Sequence, residues 1–216
     1  MDVEDGGFYT FEFVSRNAIR RLCRRVHSLK ANRGQKLELH ITGTEGFGKS
    51  HALAALTVIA IRGGVRVVYL PDAEKCARSP FPYVMDALFL GYANDENMLR
   101  ELCDCYDEKD IADFVARQQK GEILFIIDKI NALEPSAVTN VEDGVESHRR
   151  ATTRTWLLEM ANRHNSILAS SANHQAALAS FENDQDGALE NWHMAGGFNQ
   201  VRIPVMFFSS KFSTLL

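Results

Sequence analysis

The stretch HITGTEGFGKSHALAAL, His40 to Leu56, sets a glycine-rich turn between an apolar run and a helix of small residues. Gly43-Thr44-Glu45-Gly46-Phe47-Gly48-Lys49-Ser50 fits the spacing G-x-x-x-x-G-K-[ST] without a mismatch. Glycines let a loop of this length wrap closely and turn several backbone N–H groups inward, where they cradle phosphate oxygens. A helix starting at the loop adds the positive end of its dipole. In such a loop Lys49 reaches the β- and γ-phosphates and the Ser50 hydroxyl ligates Mg²⁺. The flanks agree: KLELHIT alternates like a strand, and SHALAALTVIAIR reads as a mostly apolar helix that stops at Gly63–Gly64. All eight loop residues are therefore predicted to hold a nucleotide.

Working outward, VRVVYLPD is a buried-strand candidate closed by Pro71, and EILFIID is an uninterrupted apolar run ending in Asp128. A carboxylate at such a strand end can hold the Mg²⁺ hydration shell across from Ser50. ATPases with an extra strand between the phosphate-loop and metal-Asp strands often place a Glu next, to polarise the attacking water. Here the next residue is Lys129. Glu134 is the nearby carboxylate in NALEP, a candidate base or else a solvated loop residue. SILASSAN supplies the expected intervening strand, and Ser171 and Asn173 at its end are candidates to face the γ-phosphate and the water. The guanine-reading N/T-K-x-D motif is absent, so ATP is preferred over GTP by elimination.

The alternation of strands and helices predicts an α/β fold: a three-layer P-loop NTPase with a mainly parallel central sheet and helices on both faces. Two or three helical pieces are expected between Phe81 and about Gln119, a polar loop from Pro135 to His148, and a further helix from Arg149. The N-terminal FYTFEFV is strand-like and leads to RNAIRRLCRRVHSLK, apolar on one face and arginine-rich on the other. Residues 1–198 are assigned to the NTPase domain, with 1–35 as its lead-in. Residues 199–216 are an atypical tail, in which VRIPVMFF is a possible last strand and the preceding FENDQDGALENWHMAGGFNQ reads as loop.

Composition bounds the partners. A formal net charge of −4, with 45% hydrophobic and 24% charged residues, gives no support for coating nucleic acid by bulk attraction. The arginine face of the N-terminal helix could contact phosphates, but its apolar stripe favours a solvated face over a packed one. Arg149, Arg150 and Arg154 cluster where a nucleotide kinase would carry a lid, or where a helix simply begins. Four cysteines without regular spacing fit a reducing compartment. The most apolar helical stretch is too short to span a bilayer, so a soluble intracellular chain without membrane association is expected.

GTEGFGKSHALAAL, VRVVYLPD, LFIIDKINALEP, SSAN and GGF, in that order, resemble the NTPase module of crinkler-type effectors of oomycetes and fungi. The resemblance covers about Phe8 to Phe198. It implies an AAA/STAND-like P-loop NTPase, nucleotide on Gly43, Gly46, Gly48, Lys49 and Ser50, and Mg²⁺ on Asp128. It also implies secretion and action in a host nucleus. The chain lacks the family's translocation segment and nuclease continuation, so a stand-alone or truncated module is expected. Three readings stay open at this point: an Mg²⁺-dependent ATPase, a nucleotide-gated switch or interaction module with little turnover, and a small nucleotide kinase; a homo-oligomer or a protein partner is possible.

Overall fold

The structure is a computed structural model. It describes residues 8–15, 17–29, 36–42, 48–134, 144–170, 190–193 and 199–206, with side chains at 22–29, 36–41, 48–134 and 144–170. Strand β1 (Phe8–Ser15) leads to α1 (Asn17–Ser28), and β2 (Glu38–Thr42) precedes α2 (Lys49–Arg62). Strand β3 (Arg66–Leu70) is followed by α3 (Ala73–Arg78), α4 (Pro80–Gly91), α5 (Glu96–Cys103) and α6 (Glu108–Arg117). Then come β4 (Ile123–Ile127), a 3-10 turn (Ile130–Leu133), α7 (Gly144–Asn162), β5 (Asn165–Ala169), β6 (Glu190–His193) and β7 (Asn199–Met206).

The central sheet has the order β3-β4-β5-β2-β6, and all its pairings are parallel. Parallel neighbours need crossover connections, which here put helices on both faces. Strand β4 shows the result: all five of its residues are buried. Ile123, Phe125 and Ile127 pack toward α3, α4, α6 and α7 with Leu70, Leu88, Phe114 and Leu157. The alternate residues Leu124 and Ile126 join Leu39, Ile41, Leu53 and Leu56 beneath α1 and α2. This is the expected three-layer P-loop NTPase architecture. Strand β5 lies between β2 and β4, with His40 opposite Leu168 and Ile126 opposite Ile167. SILASSAN thus supplies the intervening strand, as its sequence suggested.

Helix α2 buries Lys49, Ala52, Leu53, Leu56, Thr57 and Ala60, one stripe at helical spacing. On α1, Leu22 and Val26 join that core while Arg24 and Arg25 are exposed, a packed helix with a basic outer face. Helix α4 lies so close to β3 that a Cβ at Gly91 would stand 2.6 Å from the Val67 carbonyl oxygen. No helix among the described residues is long and apolar enough to cross a membrane.

Several elements differ from the sequence reading. Helix α3 and the 3-10 turn are too short to show a period. Helix α7 begins at Gly144, inside the segment read as loop, where Glu146 pairs with Arg149 and Arg150 three and four residues on and supports the first turn. Strand β6 falls in a segment read as loop, because four residues at a sheet edge carry little apolar signal. Strand β7 pairs antiparallel with β1, Phe8 opposite Met206 and Ser15 opposite Asn199, as a separate two-stranded sheet.

Candidate functional site

In a parallel sheet all strand C-termini share one edge, and α2 begins at that edge. Gly48 caps α2 with φ 79°, a left-handed backbone that L side chains rarely adopt. No atom lies within 4 Å of a Cβ built there, so the backbone angle alone calls for glycine. The first turn closes through Ala52 N–H to the Gly48 carbonyl at 2.9 Å. The turn itself carries no acidic side chain. Lys49 is buried at 6% exposure, and Ser50, one residue on, is exposed. Gly43, Thr44, Glu45, Gly46 and Phe47 lie outside the described residues, as do Ser171 and Asn173.

Asp128 follows β4 directly and is 2% exposed. Its N–H donates to the Leu70 carbonyl at 2.9 Å, and its own carbonyl accepts from the Ala73 N–H at 3.1 Å. Oδ1 accepts from the Lys129 N–H at 2.9 Å. Oδ2 is buried without a hydrogen-bond partner. A buried carboxylate oxygen left bare is costly unless a cation meets it. Magnesium binds through one or two carboxylates and keeps several waters, so the bare oxygen of Asp128 suits such an ion.

Around Asp128 the structure gathers residues the sequence reading left out. Tyr69 is half-buried, and burial together with the Asp128 charge pushes its phenol up to about 12. The Tyr83 phenol is raised too, chiefly by burial. Both stay protonated at neutral pH and add no negative charge. Asp72, at the end of β3, caps α3 by accepting from Glu74 N–H at 3.2 Å and Lys75 N–H at 3.4 Å. Its other oxygen meets Lys129 Nζ at 3.4 Å. An Asp directly before a helix-forming run is an N-cap signal legible in PDAEKCAR. Nothing in sequence marks the tyrosines, because they come to Asp128 from other elements, Tyr69 from β3 and Tyr83 from α4.

Lys129 has φ 58° and ψ 38°, the one positive φ outside glycine among the described residues. Glu134 ends the 3-10 turn that follows, half-buried, with its N–H on the Asn131 carbonyl at 3.2 Å. The turn is anchored from α7: Arg150 donates from Nη1 to the Ala132 carbonyl at 2.7 Å and from Nε to Glu146 at 2.9 Å. Arg149 also bonds Glu146. Both arginines are thus paired on their own helix, with Arg150 also holding the 3-10 turn.

Arg154, half-buried on α7, leaves its Nε buried without a hydrogen-bond partner. Burial and the Arg154 charge push His40 down to about 4. His40 is wholly buried and shares a 2.7 Å hydrogen bond with Ser170 Oγ, while Ser170 N–H donates to the Ile41 carbonyl at 2.9 Å. A neutral histidine therefore ties β2 to β5 three residues before Gly43 and next to Ser171. His51 is exposed on the first turn of α2.

Comparison with known proteins places the chain beside solved structures only. No family model and no curated protein matches it. It is similar to AMPPCP-bound DnaA from Aquifex aeolicus at 20% identity, covering 83% of this chain and 48% of that one, with a TM-score of 0.39. It is similar to the Aeropyrum pernix ORC2 protein in ADPNP–ADP complexes at 14% identity, 83% and 47% coverage, and a TM-score of 0.44. C. elegans PCH-2 aligns at 11% identity over 91% of this chain and 52% of that one, with a TM-score of 0.41. The chain spans about half the length of these structures.

The expected membership in the crinkler-type effectors is overturned. No family model supports it, and the similar structures are a DnaA, an ORC2 protein and PCH-2. The residues behind the resemblance have local explanations. Pro71 and Asp72 end β3 and cap α3, and the segment from Asp128 to Leu133 is a strand end and a 3-10 turn. These are requirements of strand ends, so they do not distinguish one family. The secretion and host-nucleus expectations fall with the resemblance that carried them.

Proposed function

We propose that this chain binds ATP with Mg²⁺ at the C-terminal edge of its parallel sheet and turns it over slowly. The backbone amides of Gly43 to Gly48 and the Lys49 ammonium hold the phosphates, and Ser50 and Asp128 hold the metal. The ion supplies charge neutralisation at the β- and γ-phosphates. The observation that carries this reading is the buried, partnerless Oδ2 of Asp128 on the edge where α2 begins. ATP is preferred to GTP on the absence of a guanine-reading motif.

Slow turnover follows from the chemistry of position 129. Phosphoryl transfer to water depends on positioning and on a group that orients the nucleophile. A protonated ammonium cannot accept a proton from water. Faster hydrolysis is the second reading, favoured by β5 ending between β2 and β4, with Ser171 and Asn173 just beyond it and Glu134 as the remaining candidate base. An arginine from a second copy of the chain would complete that arrangement in a homo-oligomer.

The test is ATP affinity with and without Mg²⁺ for the wild-type chain and Lys49→Ala, with phosphate release followed in parallel. The expected result is Mg²⁺-dependent binding that weakens at least about 100-fold in Lys49→Ala, with release too slow for an efficient enzyme. Equal affinity in both proteins sinks the proposal.

A further inference from the structure

We propose that the N-terminal edge of the central sheet is a second binding surface, which holds the phosphate backbone of duplex nucleic acid without reading its sequence. It lies at the opposite edge from the nucleotide site and does not depend on it. Three neighbouring strands, β4, β5 and β2, are each led in by an exposed cation. Lys120 stands three residues before β4, Arg163 two before β5 and Lys36 two before β2.

Asn165 draws these lead-ins together. Its side chain accepts from the Leu37 N–H at 2.8 Å and donates to the Gly121 carbonyl at 2.6 Å. The residues next to Lys36 and Lys120 are thus each one hydrogen bond from the start of β5. Adjacent strands lie about 4.8 Å apart, so the three lead-ins span about 10 Å. Burial, and then the Lys120 charge, hold the Lys36 ammonium below its ordinary value, so the two cations act on one another. Like charges brought together repel, and an anion set against both relieves that repulsion.

The same edge continues onto the face formed by α1 and α2. A Cβ at Gly63 would stand 3.8 Å from His27 Cε1, so the last turns of the two helices meet there. Arg24, His27 and Arg62 are exposed around that meeting point. Helix α1 carries four arginines and no carboxylate. The planar fork of arginine suits phosphate oxygens.

Carboxylates gather elsewhere or are already paired. Asp104, Asp107, Glu108 and Asp110 lie at or just before the start of α6, whose ten residues carry the chain toward this edge. That start is about 15 Å away, beyond a screening length of about 10 Å at 0.1 M salt. The net charge of −4 therefore does not decide what this edge attracts. At the edge itself Glu38 pairs with Lys36, and Glu122 and Asp95 both pair with Arg66. Lys120 and Arg163 form no ion pair among the described residues.

A row of cations on a rigid sheet edge fits a partner whose charges repeat rigidly, and a duplex carries one per about 1.7 Å of its axis. An acidic protein segment has no such fixed repeat. Single strands are held on exposed aromatic platforms. Among the described residues the one strongly exposed phenylalanine, tyrosine or tryptophan is Tyr106, at the far end of α6. Phosphate contacts alone carry no sequence information.

The experiment follows the anisotropy of a labelled, mixed-sequence DNA duplex titrated with the full chain at about 50 and about 200 mM salt. Wild-type affinity is expected to fall at least about 40-fold between the two, as three neutralised phosphates require. The triple variant Lys36→Gln, Lys120→Gln, Arg163→Gln should bind at least about tenfold more weakly at the lower salt, with a salt slope shallower by about 2.7. Its melting temperature should match that of the wild type. Lys75→Gln with Lys109→Gln, on α3 and at the start of α6, should change affinity less than about twofold. No binding by the wild type at the lower salt overturns the proposal, as does a triple variant that binds unchanged or a control pair that weakens binding equally. Displacement of the duplex by polyglutamate at equal charge concentration would assign the edge to an acidic protein instead.

Discussion

At the N-terminal ends of the strands, polar groups are closed off against one another. Arg66 pairs with Glu122, meets Asp95 at 3.2 Å and lies 4.1 Å over the Tyr92 ring. Asn165 accepts from the Leu37 N–H at 2.8 Å and donates to the Gly121 carbonyl at 2.6 Å. At the C-terminal ends of the same strands, Asp128 keeps a bare buried oxygen, Lys129 holds a left-handed backbone, and the first turn of α2 carries no acidic side chain. One edge of the sheet is mostly finished by its own side chains, with Tyr92 Oη and His164 Nδ1 buried there without a hydrogen-bond partner, and the other carries the candidate site. Bare buried polar atoms occur at both edges, so what sets the C-terminal edge apart is a bare carboxylate oxygen next to a left-handed backbone that is not glycine.

The largest expected effect lies at the finished edge. Asn165→Ala leaves a backbone donor and a backbone acceptor without their partner, and should cost about 3 kcal/mol of stability, read by denaturant unfolding. Nucleotide affinity per folded molecule should not change. Asp128→Ala sets the opposite pattern. It should weaken Mg²⁺-supported ATP binding about 100-fold, or about 2.7 kcal/mol, with a melting temperature equal to or above that of the wild type, since a buried uncompensated carboxylate is removed. If Asp128→Ala destabilises the fold as Asn165→Ala does, the contrast between the edges fails.

His40 gives a smaller effect that sharpens the comparison from within. Its folded-state value, down at about 4, lies below the ordinary 6.5. The unfolded chain therefore binds the extra proton first as pH falls, and stability present above 6.5 is lost through the window from 6.5 to 4. Between pH 6.5 and pH 5 the loss should be about 2 kcal/mol. His40→Gln should flatten this slope in equilibrium unfolding measured across the window. A slope unchanged by the substitution would show that another group carries the acid sensitivity.

Much of this was legible in the chain itself. The loop pattern ending in Lys49–Ser50, the apolar run into Asp128 and the strand in SILASSAN are local signals, each carried by a handful of adjacent residues, and the layered fold follows from their order. The position of β5 was readable because the class of sheet that separates the two motif strands has a place for it. The crinkler resemblance misled because its more specific part, YLPD and DKINALEP, lies where local capping and turn formation account for the residues. Helix α3 and the 3-10 turn escaped because helical pieces of four to six residues make fewer than two turns, and β6 (ENWH) because it carries almost no apolar signal.

What the sequence determined by itself is a set of positions. A glycine-rich loop must precede a helix, an aspartate must end a buried strand, and a lysine must stand where a carboxylate is often found. What only the tertiary structure decided is the state of those side chains. Asp128 has one satisfied oxygen and one bare oxygen because Lys129 and the end of β3 take up the groups around it. Asp72, fifty-seven residues away in sequence, becomes the partner of Lys129 because β3 and β4 are neighbours in the sheet. Burial, hydrogen bonding and charge act through space, and the distances that set them exist only once the strands have paired.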